Sequence, residues 1–168
     1  MFLEHCRMDA PKRKSLPHDV PLGIRPDRET YFLTINCERR GLNQLAFPEL
    51  ATPLFETVEF RQRNFTWWCH LLLLMPDHLH ALMSFPDSGK PIKLRMDQWK
   101  EWTAKRLGLH WQRDFFEHRL RGHEGYIQKA TYILENPIRK GLVTEPQDWP
   151  FVYFAEGPRP YGWPRKLA

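Results

Sequence analysis

Apolar positions along this 168-residue chain fall into short blocks of period two and longer blocks of period near 3.6. Tyr31-Phe32-Leu33-Thr34-Ile35-Asn36-Cys37, aromatic and β-branched, predicts a first strand. Pro48 to Arg63 predicts a helix, with Leu50, Leu54, Val58 and Phe55 at helical spacing. Phe65 to Leu74 is apolar on both faces and predicts a central strand. Met75-Pro76-Asp77 breaks the run, and Leu79 to Phe85 returns as a third strand, ended by Pro86-Asp87-Ser88-Gly89. Ile92 to Leu107 predicts a second helix, with Leu94, Trp99, Trp102 and Leu107 inward and Lys93, Lys100, Lys105 and Arg106 outward. The mixed stretch from His110 to Arg121 predicts a short fourth strand. Glu124 to Asn136 predicts a third helix, opened by an acidic residue and closed by Pro137. This order describes an α+β sandwich, an antiparallel sheet with helices packed on one face.

The ends follow other rules. Residues 1–27 lack periodicity and carry Pro11, Pro17, Pro21, Pro26 and the basic cluster Lys12-Arg13-Lys14, which predicts an irregular arm. The main domain is expected over residues 28–155, with a Pro-rich tail over 156–168. No apolar run approaches the ~18 residues of a membrane span, and Glu4, Arg7 and Asp9 interrupt any leader, so a cytoplasmic protein is expected. Cys6, Cys37 and Cys69 are odd in number and widely spaced, which predicts reduced thiols.

Charge adds a direction. Net charge is +5, but residues 1–89 hold 10 Lys/Arg against 11 Asp/Glu, and residues 90–168 hold 15 against 9. A polyanion would be drawn to the second half.

His78-Leu79-His80 carries the sharpest chemistry. On a strand the two imidazoles point to one face while Leu79 anchors on the other, so they could hold one divalent cation. Two histidines leave most of the coordination sphere open, which suits Mg²⁺ or Mn²⁺ with substrate oxygens better than structural zinc. A hydrogen-bonded polar edge is the plainer use of such a pair. Tyr132 and Asn136 stand four apart in the expected third helix and would share a face, Asn136 adding a neutral oxygen. A tyrosine phenol has a pKa near 10 and needs its target polarised, which a cation on a phosphate oxygen would do. A core aromatic is the plainer reading of Tyr132. Tyr126 is a rival nucleophile whose i+4 neighbour, Ala130, offers no ligand.

These blocks also resemble a known family. Met75-Pro76-Asp77-His78-Leu79-His80-Ala81-Leu82 resembles the "MPxHxHLL" block of the HUH single-tyrosine transposases. Tyr132-Ile133-Leu134-Glu135-Asn136-Pro137-Ile138-Arg139-Lys140-Gly141-Leu142-Val143 is similar to their "YIxxNPVRAGLV" block. Trp111-Gln112 with Phe116-Glu117-His118, and Asp148-Trp149-Pro150, resemble further stretches, and the likeness spans residues 28–155. Asn at i+4 is the variant of the REP-associated tyrosine transposase group. Asp77 stands where that family commonly has Asn.

The resemblance implies a ferredoxin-like α+β fold and single-stranded DNA hairpins as substrates, in monomeric or homodimeric form, near the bacterial nucleoid. It implies DNA transposition or repeat mobilisation through a 5′-phosphotyrosine formed by Tyr132, with His78, His80 and Asn136 holding Mg²⁺ or Mn²⁺. Two other functions fit the same residues: a domesticated DNA-binding regulator without catalysis, and a metal-dependent phosphodiester hydrolase. Phosphate contacts are expected among Lys100, Lys105, Arg106, Arg113, His118, Arg119, Arg121, Arg139 and Lys140, with Lys100 and Lys105 foremost. Trp67, Trp68, Trp99, Trp102 and Trp111 are candidates for stacking on unpaired bases.

Overall fold

The computed structural model describes residues 29–155; the expected arm and tail lie outside the described residues. In chain order the elements are β1 (Thr30–Asn36), α1 (Pro48–Arg63), β2 (Trp68–Leu74), β3 (His78–Ser84), α2 (Ile92–Leu107), β4 (Phe116–Arg119), α3 (Gly122–Leu134), α4 (Asn136–Arg139) and β5 (Val152–Phe154). The sheet order is β4-β1-β3-β2-β5, antiparallel throughout. Two β-α-β units interleave, so β3 lies between β1 and β2. This is the ferredoxin-like arrangement, with β5 added at the edge of β2.

Strand alternation divides the core. Tyr31, Leu33, Ile35, Leu72, Leu74, Leu79 and Ala81 face one way and pack on Leu54 and Val58 of α1 and Met96 and Trp99 of α2. Phe32, Leu71, Leu73 and Leu82 face the other way, against Ile133, Leu134, Trp149 and Val152. The expectation of helices over one face holds for α1 and α2. The third helix covers the opposite face, because β1, β2 and β3 are apolar on both sides and need cover on both. Trp149 fastens this second layer: its indole N–H donates to the Leu74 carbonyl at 2.9 Å.

Both long helices match their expected bounds, yet the inward face of α2 differs. Ile92, Met96, Trp99 and Thr103 form its buried row, while Leu94 and Trp102 are exposed. Lys100, expected outward, is buried and donates to the Arg113 carbonyl at 2.5 Å. Long cationic side chains bury their stems and keep only the head polar, and periodicity counts them as surface. Strand β2 starts at Trp68 and not at Phe65, because the chain leaves α1 through a turn in which Phe65 takes a φ of 55°. The expected single helix to Asn136 ends at Leu134 and restarts as α4. Pro137 has no N–H to continue the ladder.

Candidate active site

The site lies on the face covered by α3, where register sets the geometry. Thr34 stands opposite His80 and Asn36 opposite His78, so both imidazoles rise from β3 beside β1 side chains. Their ring centroids are 4.9 Å apart. Each ring is anchored through Nδ1. His80 Nδ1 pairs with Thr34 Oγ1 at 2.8 Å, and His78 Nδ1 pairs with Asp77 Oδ1 at 2.7 Å.

Asp77 is itself held. Its second oxygen accepts the Gly41 N–H at 2.7 Å and lies 3.2 Å from Arg40 Nε. Burial acts to raise its pKa, but Gly41, His78 and Arg40 together pull the carboxyl below its ordinary value. It is therefore ionised at neutral pH and accepts a hydrogen bond from Nδ1–H, which directs the Nε2 lone pair of His78 outward.

Burial also pushes both imidazoles towards the neutral form. For His78 the shift is downward, opposed by Asp77. For His80 burial dominates, and His78, Arg139, Arg40 and Lys129 add to it, taking the ring down to about 3. Neutral imidazoles are what a cation requires of its ligands.

Tyr132 stands over this pair. Its ring lies edge-on to His80 at 5.8 Å and to Phe32 at 6.0 Å, and the residue is 42% exposed. The Arg139 guanidinium sits 4.4 Å from the Tyr132 ring centroid, paired with Glu135 at 3.0 Å and donating to the Tyr132 carbonyl. Lys129 Nζ lies 5.3 Å from the same ring. Tyr126 contacts His70 at the other end of the face.

Asn136 opens α4 and is buried, so Tyr132 and Asn136 belong to separate helices and not to one continuous helical face. Its Nδ2 is buried without a partner. An amide turned about its terminal bond presents Oδ1 in that place, a neutral oxygen that a hard cation accepts. Among the described residues no three His, Cys, Asp or Glu side chains converge. A cation here would rest on two imidazoles, an amide and oxygens from outside the chain. The donor set fits Mg²⁺ or Mn²⁺ on those terms.

The candidate phosphate contacts scatter. Arg139 lies against Tyr132, and Lys140 is near enough to His78 to lower its pKa. His118 pairs with Phe32 in register, shares the site face and is exposed. Arg119 points to the other face and lies 3.6 Å from Glu29. Arg113 and Arg121 are exposed in the connections flanking β4. Lys105 and Arg106 belong to α2, across the sheet from Tyr132, and buried Lys100 offers no free ammonium. Burial corrects the expectation for Lys100. Of the five candidate tryptophans, Trp67, Trp99 and Trp111 are core, and Trp68 and Trp102 are exposed.

Sequence reasoning missed Lys129, Thr34 and the anchoring role of Asp77, and it took Arg40 for a phosphate contact and not for a partner of Asp77. Lys129 was within reach, three residues before Tyr132 on one helix face. Thr34 needed the β1–β3 register.

No protein-family model matches the chain. A REP-associated tyrosine transposase of Escherichia coli (strain K12) is 28% identical over 142 residues, covering 80% of this chain and 84% of that protein. A solved REP-associated tyrosine transposase, bound to a REP hairpin, shares the fold at a TM-score of 0.71. That match covers 91% of this chain and 94% of the other at 24% identity.

Proposed function

We propose that this relative of the REP-associated tyrosine transposases cuts and rejoins single-stranded DNA at hairpins, with Tyr132 as nucleophile. The observation that carries the reading is the contact of the Tyr132 ring with His80, beside a second neutral imidazole. His78, His80 and Asn136 would hold a divalent cation, which when bound supplies charge withdrawal from the scissile phosphate. Lys129 and Arg139 flank the Tyr132 ring with positive charge, Lys140 adds to it near His78, and the three would orient the phosphate oxygens.

In the reaction, the Tyr132 oxygen forms a bond to phosphorus and the bond from phosphorus to the 3′ oxygen breaks. The phenolic proton ends on the released 3′-hydroxyl, directly or through water. The ester formed is close in energy to the one broken, so a second 3′-hydroxyl can reverse the step and join strands without ATP.

The test uses end-labelled hairpin DNA with Mg²⁺ or Mn²⁺. A denaturation-resistant adduct carrying the fragment downstream of the cut is expected, and Tyr132→Phe should abolish it while hairpin binding survives. Cleaved product without adduct, unaffected by Tyr132→Phe, would make the protein a hydrolase and overturn the proposal. Binding with neither product would make it a regulator.

A further inference from the structure

Where α1 gives way to β2, the chain holds an aromatic ring out into water. Phe65 is 84% exposed and is the one non-glycine residue with positive φ among the described residues, at 55°. A bulky side chain in that conformation is rare and costs backbone energy, so the surrounding structure imposes it. Trp68, 46% exposed, stands nearby. With Gln62, Ser84, Phe85 and Pro86 the two rings line an open cavity of about 180 Å³. A void of roughly 150 Å³ accepts one flat aromatic molecule in a protein interior.

The cavity is built on rigid parts. Arg95 is buried and donates to the Thr66 carbonyl at 3.1 Å, the Pro86 carbonyl at 2.8 Å and Ser88 Oγ at 2.5 Å. It thereby ties together the two loops that form the walls. Trp67, at the base, donates to the Val58 carbonyl and packs edge-on to Trp99. Polar groups sit among the rings: Ser84 Oγ, bonded to His70 Nε2 at 2.9 Å, and the Gln62 amide, whose oxygen accepts the Cys69 N–H at 2.8 Å. Arg61 lies over the Trp67 ring at 5.8 Å and Arg63 is exposed in the last turn of α1.

Exposed flat rings, a few hydrogen-bonding groups and a cationic rim match a nucleobase with its phosphate. They suit a second copy of the chain less well, because a twofold contact would bring Arg61 and Arg63 of both copies together. Ser84 also shares the strand and the face of His80. Four residues of strand span about 13 Å, so a DNA strand held at Tyr132 reaches the cavity within a few nucleotides.

We propose that this cavity binds one unpaired nucleobase of the DNA strand, stacked on Phe65 or Trp68, outside the duplex part of the hairpin. The proposal rests on the reading of the protein as a single-stranded DNA enzyme.

The test compares two labelled DNAs by fluorescence anisotropy on the full chain: a hairpin with a single-stranded flank of about ten nucleotides, and the same hairpin with blunt ends. Phe65→Ala and Trp68→Ala change exposed side chains, and their melting curves should match wild type. Each should weaken binding of the flanked hairpin about tenfold and leave the blunt one unchanged. A single abasic position in the flank should reproduce the loss in wild type and add nothing in Phe65→Ala. Equal losses on both DNAs, or none on either, overturn the inference. Unchanged DNA affinity with altered sedimentation would make the patch a contact between copies and overturn it too. Failure of the parent reading looks different: wild type would then form no Tyr132 adduct at all.

Discussion

Asp77→Ala isolates the support beneath the proposed cation site without touching a ligand. In the structure the Asp77 carboxylate makes three polar contacts: His78 Nδ1 at 2.7 Å, the Gly41 N–H at 2.7 Å and Arg40 Nε at 3.2 Å. The Arg40 contact is exposed and counts for little. The His78 contact is partly buried and the Gly41 contact exposed, and together they contribute about 1–3 kcal/mol, so the variant should remain folded at a reduced melting temperature. The sharper effect falls on His78. Without the carboxylate its Nδ1–H is unpartnered, the ring can turn, and Nε2 becomes less basic. Loss of such a partner lowers metal affinity about 10- to 100-fold, or about 1.4–2.8 kcal/mol. The assay is a Mn²⁺ titration followed by electron paramagnetic resonance on the protein alone, which requires no turnover. Asp77→Asn, which keeps an acceptor oxygen, should fall between the two. A folded Asp77→Ala protein that binds Mn²⁺ as tightly as wild type would refute the reasoning.

Other outcomes follow from the same geometry. His80, His78 and His70 all have pKa values depressed by burial, so on unfolding each regains a value near 6.5 and takes up a proton. Stability of the metal-free protein is thus full above pH 7 and falls as pH drops towards 5.5, a window above the carboxylate range; a flat melting temperature across it would contradict the buried neutral imidazoles. Trp149→Phe keeps the ring but removes the donor to the Leu74 carbonyl, at a cost of about 1–2 kcal/mol in urea unfolding; an unchanged midpoint would show that β5 is held otherwise. Lys129→Ala should weaken hairpin binding and reduce the salt slope by about 0.7–0.9, whereas Lys105→Ala, across the sheet, should change neither. The reverse ranking would move the DNA to the α2 face.

Where alternation or helical spacing was unbroken, the sequence was readable. The bounds of α1 and α2 match because their apolar rows are long and their ends are marked by Pro48 and by Gly108, whose φ is 69°. His78 and His80 share a face because strand period permits nothing else. What stayed hidden depends on tertiary geometry. Lys100 reads as a surface charge, yet the Arg113 carbonyl takes its head, and carbonyls of distant loops hold Arg95 in the same way. Burying β1 to β3 on both sides required a second covering layer, which placed α3 over the histidines. The break at Glu135 could be anticipated from Pro137, but not the restart that puts Asn136 at the head of a separate helix. Thr34 became visible only once the β1–β3 register was known.

The most direct measurement is anomalous X-ray scattering from crystals soaked in Mn²⁺. The account requires a peak within coordination distance of Nε2 of both His78 and His80 and of the Asn136 amide, on the side of the rings where the Tyr132 phenol stands. A peak at other residues, or none at a concentration that supports strand cleavage, would contradict it.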